Sequence, residues 1–172
     1  VLLDALRILK EKGYLFNCQY VGGETAEINA VQFSEEVDKR DLNDRVAYVG
    51  RKVGEEKNAF FQQADIFILP TMNECFPLVI LEAMEYKLPA ISTNEGGIPD
   101  MVKDGENGLI CEKQNPVSLA DCIAKLLDDE ELRVKMGNAG YDKFCREFTL
   151  QQFEHRMLDI LSQNLPQKEK EN

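Results

Sequence analysis

The sequence predicts an α/β domain with a Rossmann-like, doubly wound parallel sheet that carries helices on both faces. Short apolar runs alternate along the chain with longer segments whose apolar residues recur at helical spacing. Runs such as residues 66–69 are apolar throughout, which is typical of strands buried on both faces of a parallel sheet. Glycine or acidic residues follow several of these runs. This pattern predicts a ligand site beyond the carboxyl ends of the strands.

In the first half of the chain, the spacing of apolar residues and the residues that end each element predict where the helices and strands lie. A first helix has Leu2, Leu6 and Leu9 on one face and is predicted to end at Gly13. Glycines close two predicted strands, because Gly22 follows the first and Gly50 follows the second. The predicted strands here cover residues 16–21, 45–49 and 66–69, and the predicted helices between them cover 25–42 and 55–64.

The second half continues the alternation and ends in helices. Proline suits the first position of a helix, so Pro77 is expected to open one. An acidic run at 128–131 is expected to start another, because negative charge stabilises the positive end of the helix dipole. Strands are predicted over 89–93 and 108–111, and helices over 77–87, 98–103, 116–127, 130–138 and 151–162. We expect one domain over 1–163 and a frayed polar tail over 164–172.

The bulk composition excludes several functional classes. The 172 residues are 44% hydrophobic and 30% charged, as in an ordinary globular domain with a sizeable core. A net charge of −11 argues against nucleic acid as a partner, because that binding depends on clustered Lys and Arg. No apolar stretch approaches the roughly 20 residues that span a bilayer. The five cysteines have no metal-binding spacing and are interpreted as free thiols, which favours the cytoplasm.

The most informative segment lies between the third strand and the helix that follows it. Glu74 and Glu82 stand eight positions apart on either side of Pro77. The backbone N–H groups of Leu78 and Val79 are expected to open a helix N-terminus, which is a natural seat for a phosphate. Ionised carboxylates only accept hydrogen bonds, so the two glutamates suit the hydroxyl groups of a sugar.

Several blocks of residues form a specific pattern in this part of the chain. They are Leu69-Pro70-Thr71, Glu74-Cys75-Phe76-Pro77-Leu78-Val79, Leu81-Glu82-Ala83-Met84, Pro89-Ala90-Ile91-Ser92-Thr93, Glu95-Gly96-Gly97-Ile98-Pro99-Asp100 and Asp104-Gly105-Glu106-Asn107-Gly108-Leu109. In order and spacing these blocks resemble the C-terminal, donor-binding domain of family 4 retaining glycosyltransferases of the GT-B fold, and weaker agreement covers nearly the whole chain.

The resemblance implies a role for each matching residue in binding a nucleotide diphosphate sugar, linked to UDP, GDP or ADP, with no metal and no further cofactor. The donor sugar would contact Glu74, Cys75, Phe76 and Pro77. The diphosphate would lie on Leu78 and Val79. Glu82 would take the ribose hydroxyls, and the nucleobase would lie along Val49, Gly50 and Arg51. The reaction implied is retaining hexosyl transfer to an acceptor such as a glycan or a lipid.

The sequence also departs from the family pattern. Cys75 and Pro77 stand where the family usually has glycines, Lys87 replaces another common glycine, and Asp100 replaces a common glutamate. The basic residues that grip the diphosphate, and the acceptor domain with its catalytic histidine, would precede Val1. We therefore expect a piece of a longer protein whose catalytic residues lie elsewhere, inactive alone, with any peripheral membrane association made through the other domain.

Other interpretations remain open at the level of sequence. Glu82 could belong to a solvated helix stripe with Glu85, Glu74 could be an exposed loop acid, and Gly96-Gly97 a simple turn. The single histidine, His155, is expected at the surface of the last helix. A nucleotide-sugar 2-epimerase or phosphorylase of the same fold, or a non-catalytic α/β nucleotide-binding module, are the alternative functions.

Overall fold

The computed structural model describes residues 1–164, in which parallel strands alternate with helices. The strands are β1 (Cys18–Val21), β2 (Val46–Gly50), β3 (Phe67–Leu69), β4 (Ala90–Thr93) and β5 (Gly108–Cys111). The helices are α1 (Leu2–Glu11), α2 (Ala30–Asp38), α3 (Gly54–Gln63), α4 (Leu78–Glu85), α5 (Ile98–Met101), α6 (Pro116–Asp128), α7 (Glu130–Glu147) and α8 (Leu150–Asn164).

The strands form two parallel sheets that share one core. β1 pairs with β2, and β3, β4 and β5 pair in that order, with Ile91 of β4 opposite Ile68 of β3. Tyr20 of β1 and Ile68 of β3 both pack against the apolar cluster that contains Leu6 and Leu9 of α1. The two sheets therefore contribute to the same apolar cluster, although within residues 1–164 no hydrogen-bonded ladder joins them.

Helices cover both faces of the larger sheet, as a doubly wound fold requires. Ile91 of β4 faces a cluster built with α1 and α6, whereas its neighbour Ala90 faces a second cluster built with α4 and α5. Successive side chains of a strand point to opposite faces, so both faces of β4 are buried. The predicted fold class is confirmed, and the carboxyl ends of the strands bring Gly22, Gly50 and Glu95 to the expected positions.

The helix predicted over 25–42 is wrong at both ends, because α2 covers only Ala30–Asp38. Asn29 caps this helix and forms a capping box with Gln32. The hydroxyl of Thr25 accepts hydrogen bonds from the backbone of Glu27 and Ile28, which holds the preceding residues in a turn. Side chains that bond to their own backbone compete with helix formation in this way.

The helix predicted over 130–138 is also wrong, because α7 continues to Glu147. The helix contains Gly137 and Gly140 and continues past both. A Cβ atom at Gly137 would lie 2.0 Å from the carbonyl oxygen of Lys87, so the glycine lets the helix pass close to the turn after α4. Asp129 accepts a hydrogen bond from the N–H of Leu132, which confirms the predicted acidic start of this helix.

Helix α8 ends the described part of the chain. Of the predicted tail at 164–172, only Asn164 is described, as the last residue of α8, and the rest lies outside the described residues. His155 is exposed on α8, as expected. None of the helices within residues 1–164 is long and apolar enough to cross a membrane.

Alanine substitution of Gly137 and of Gly140 in α7 separates the effect of close packing on the free energy of unfolding from the effect of helix propensity. We expect G137A to lower the free energy of unfolding by about 1–3 kcal/mol, because its methyl group overlaps the Lys87 carbonyl. The matched variant G140A meets its nearest atom, Cγ of Met84, at an ordinary 3.6 Å. It should be neutral or gain up to about 1 kcal/mol, because alanine favours helices.

Chemical denaturation followed by circular dichroism measures both variants. Equal stability of G137A and G140A would show that the contact with Lys87 does not fix the position of α7.

Candidate functional site

The loop between β3 and α4 is fastened to the neighbouring strand by buried hydroxyl groups. Ser92 donates a hydrogen bond to the carbonyl of Leu69 at 2.7 Å, and Thr93 donates one to the carbonyl of Thr71 at 2.6 Å. Both hydroxyl-bearing residues are almost completely buried in β4. The start of this loop is therefore held rigidly at the carboxyl end of the sheet.

The same loop is in direct backbone contact with the loop that follows β4. The N–H of Gly97 donates to the carbonyl of Cys75 at 2.6 Å. A Cβ atom at Gly96 would lie 2.2 Å from the carbonyl oxygen of Glu74, and Gly96 has a φ of +49°. Only glycine fits such an approach, because it has no Cβ and adopts positive φ without strain. The alternative that Gly96-Gly97 is a simple turn does not explain this contact.

Helix α4 begins at Leu78, so Pro77 is the N-cap residue rather than the first helical residue. No side chain caps this end of the helix. Ile80 bonds to the carbonyl of Pro77, while the N–H groups of Leu78 and Val79 belong to the first turn, where no intrahelical acceptor exists. The helix N-terminus thus presents open donors and the positive end of its dipole at the carboxyl edge of the sheet.

Phe76 fills the space between the two loops and the end of α7. Its ring would be 2.5 Å from a Cβ atom at Gly97, and its centroid lies 6.3 Å from that of Phe148. Phe148 in turn lies beneath the ammonium group of Lys143, 5.8 Å from Nζ to the ring centroid. The Phe76 side chain therefore packs inward, although 40% of its surface remains exposed.

Lys143 holds the loop between β4 and α5 in place through contacts with the end of α5. It is buried, and it donates hydrogen bonds to the carbonyls of Asp100 and Met101 at the end of α5. Burial lowers the pKa of this ammonium group below its usual value. Because α5 begins directly after Gly97, the lysine fixes the short helix on which that loop ends.

Glu82 lies just over one turn into α4 and forms an ion pair with Lys57 of α3. The distance from Nζ to Oε1 is 2.6 Å, and both side chains are about one-third exposed. Glu82 therefore does more than share a solvated stripe with Glu85. Glu74, on the loop, is half-buried, with its backbone carbonyl against Gly96.

The segment Val49, Gly50 and Arg51 ends β2 at the same edge of the fold. Gly50 has a φ of +73°, and its carbonyl accepts a hydrogen bond from the N–H of Gly22 at 3.1 Å. Arg51 is exposed. Among residues 1–164, no hydrogen bond or ion pair joins this segment directly to the β3–α4 loop. Helix α3, which carries Lys57, begins shortly after the segment and so lies between them in the chain.

The sequence pointed to the loop and the glutamates but missed the residues that hold them. Lys57 sits in a polar stretch, and Lys143 sits in a helix of ordinary amphipathic pattern. Neither position carries a motif. Only the packing of α3 against α4, and of α7 against α5, brings these two lysines to the site.

A separate surface groove beside α6, of about 490 Å³, has the wrong electrostatics for a diphosphate. Asp104, Glu112 and Asp121 line it, with Lys125 as a positive side chain. Carboxylates at close range repel phosphate groups. Within the described part of the chain, no group of three or more His, Cys, Asp or Glu residues could hold a metal ion.

Comparison with known proteins gives a consistent result. The family model described as "Glycosyl transferases group 1" matches residues 1–143. An uncharacterised glycosyltransferase of Methanocaldococcus jannaschii is 32% identical over 149 residues, which are 87% of this chain and 40% of that protein. The chain thus spans less than half the length of this relative.

Two solved structures share the fold. The C-terminal domain of LpcC, a group 1 family glycosyl transferase from Francisella tularensis, has a TM-score of 0.78 and 25% identity, with 87% of this chain and 78% of that chain covered. Anabaena HepE, solved in complex with UDP-glucose, has a TM-score of 0.83 and 19% identity, with 94% of this chain and 44% of that chain covered.

The contact between the two loops can be tested with one glycine variant and a control. We expect G96A to lower the free energy of unfolding by about 3 kcal/mol, since it adds steric overlap with Glu74 to the strain of a positive φ. Gly105 has a φ of +78° and open space around its Cα. G105A should therefore cost only the backbone strain, about 1–2 kcal/mol.

Urea denaturation of both variants gives the comparison. A G96A protein as stable as G105A would contradict a tight contact between the loops.

Proposed function

This chain belongs to the group 1 glycosyltransferases, and we propose that it binds the nucleotide diphosphate sugar from which the whole protein transfers a hexose. It has the fold of the C-terminal half of a GT-B enzyme. One observation carries the proposal. An uncapped helix N-terminus and two loops in close backbone contact meet at the carboxyl edge of the sheet, where Gly96 and Gly97 of one loop touch the other and a carboxylate stands on each side of Pro77.

The diphosphate is assigned to the start of α4. The N–H groups of Leu78 and Val79 donate toward the space in front of the helix, and the helix dipole favours negative charge there. Negative charge grows on the diphosphate as the sugar leaves, so donors fixed before the reaction stabilise the transition state. The segment that leads into α4 is rigid because Ser92 and Gly97 donate hydrogen bonds to its backbone carbonyls.

The sugar is assigned to the loop itself. The carboxylate of Glu74 accepts hydrogen bonds from hydroxyl groups, and the backbone of Cys75, Phe76 and Pro77 provides the adjoining wall. The stiff Pro77 and the packed ring of Phe76 leave this wall little freedom to adapt. A fixed wall suits selection of one sugar configuration.

The nucleoside is assigned to the side of the site next to α3. Glu82 accepts hydrogen bonds from the ribose, and the nucleobase lies along Val49, Gly50 and Arg51. Uracil is the base to test first, because HepE, which shares the fold, was solved with UDP-glucose. GDP and ADP serve as comparison ligands in the same experiments.

Transfer itself requires a second domain to hold the acceptor, because much of the rate comes from orienting the two substrates. We propose retaining transfer of the family 4 type to a glycan or lipid acceptor. The 172-residue chain alone should then bind a donor without transferring the sugar.

The role of Glu82 predicts a specific loss of nucleotide affinity. E82Q should weaken binding of UDP about tenfold to a hundredfold, because hydrogen bonds to a charged group contribute about 1.5–3 kcal/mol. E85Q, three positions away on the same helix and exposed, should bind as the unsubstituted chain does. Calorimetric titration of UDP measures all three proteins. Equal affinities of E82Q and E85Q would refute the ribose assignment.

The role of Glu74 predicts a loss that depends on the sugar. E74Q should bind UDP normally but bind UDP-glucose about tenfold less tightly than the unsubstituted chain does, because only the sugar loses a charged partner. Competition of the two ligands for the same site gives the ratio of affinities directly. A variant that loses affinity for both ligands equally would place Glu74 against the nucleotide instead.

A further inference from the structure

The ion pair between Lys57 and Glu82 lies at the ligand edge of the fold rather than at a neutral part of the surface. Lys57 precedes Phe61 by four residues on α3, and Glu82 precedes Tyr86 by four residues at the end of α4. The rings of Phe61 and Tyr86 stack at 5.5 Å with only 10° between their planes. Side chains four residues apart lie on the same helix face. The ion pair therefore continues the ring stack by one turn, toward the helix N-termini.

The stacked rings of Phe61 and Tyr86 fix the register of α3 relative to α4 on the C-terminal side of the ion pair. Phe61 also packs with Ala83 and Leu88 in a buried cluster, so α3 cannot slide along α4 without opening that cluster. Both helices start at the carboxyl ends of their strands, β2 and β3. Lys57 and Glu82 lie one turn closer to the helix N-termini than the stacked rings. Because the rings fix the two helices, the Lys57 ammonium reaches the Glu82 carboxylate with little freedom left in either side chain.

The contact uses one oxygen of the carboxylate and leaves the other available. Lys57 donates to Oε1 at 2.6 Å. Within the part of the chain that the structure describes, Oε2 has no hydrogen bond. A partly exposed ion pair contributes little to folding stability. Its main physical effect is to hold a flexible carboxylate in one orientation, with one oxygen free.

We propose that Lys57 is a positioning residue that sets the selectivity of this chain for the ribose of its nucleotide ligand. This proposal rests on the proposed function, in which Glu82 accepts hydrogen bonds from ribose hydroxyls. Lys57 orients the carboxylate before the nucleotide arrives, and Oε2 meets the hydroxyls. Pre-orienting a side chain removes the entropy cost of ordering it during binding, which corresponds to about a threefold to tenfold gain in affinity.

The test compares two nucleotides that differ only in the ribose. UDP and 2′,3′-dideoxy-UDP are titrated calorimetrically into the 172-residue chain and its variants. The unsubstituted chain should bind UDP more tightly than the dideoxy nucleotide. K57M removes the charge but keeps most of the length of the side chain, and it should reduce the ratio of the two affinities about threefold to tenfold. K57R keeps a cation beside Glu82 and should preserve the ratio.

A second ion pair provides a matched control. Lys39 and Glu36 also lie 2.6 Å apart, at the end of α2 away from its N-terminus. K39M should leave both affinities unchanged. Thermal unfolding of each variant shows that the proteins compared are folded.

The outcomes separate this inference from the proposed function. If K57M keeps the full ratio, Lys57 does not position Glu82. If K57M weakens both nucleotides equally, Lys57 contacts phosphate or acts on the fold, and the inference is wrong while the donor site stands. If the unsubstituted chain binds both nucleotides equally well, the ribose assignment of Glu82 fails first, and the role of Lys57 with it. If it binds neither nucleotide, donor binding by this chain, on which the inference rests, is wrong.

Discussion

The site depends on one close contact between two backbone segments. The loop after β3 and the loop after β4 touch at Gly96 and Gly97, where no side chain would fit. This contact sets the path of the chain from Glu74 to Pro77 and hence the direction in which α4 begins. Fixed donors at the end of that helix can bind a diphosphate without reorganising, which is the condition for stabilising charge as it develops.

The rest of the domain supports this contact from two sides. On one side, α7 passes close to α4 at Gly137 and carries Lys143 to the end of α5 and Phe148 to the ring of Phe76. On the other side, α3 packs along α4 through stacked rings, and near its N-terminus Lys57 forms the ion pair to Glu82. Residues far apart in the chain thus hold one short loop, which joins the stability of the domain to its proposed function.

The sequence predicted the fold class, every strand and the loop that forms the centre of the site, because these follow from local patterns. Continuous apolar runs mark buried parallel strands, and Pro77 marks a helix start. It failed where distant contacts decide. The length of α7 was missed, and its Gly137 packs against Lys87, which is distant in the chain. The shorter α2 has a local cause, because the turn at Thr25 precedes it. The partner of Glu82 could not be predicted, since Lys57 reaches it only through the packing of two helices.

The location of the nucleotide on the molecule tests the central claim most directly. Backbone N–H signals of the isotope-labelled chain, recorded by NMR during titration with UDP, report where the ligand binds even when binding is as weak as about 1 mM. Binding as proposed should shift the signals of Val49–Arg51, Glu74–Phe76, Leu78, Val79, Glu82 and Gly96-Gly97. Shifts confined to the acidic groove lined by Asp104, Glu112 and Asp121, or an absence of shifts at Leu78 and Val79, would contradict it.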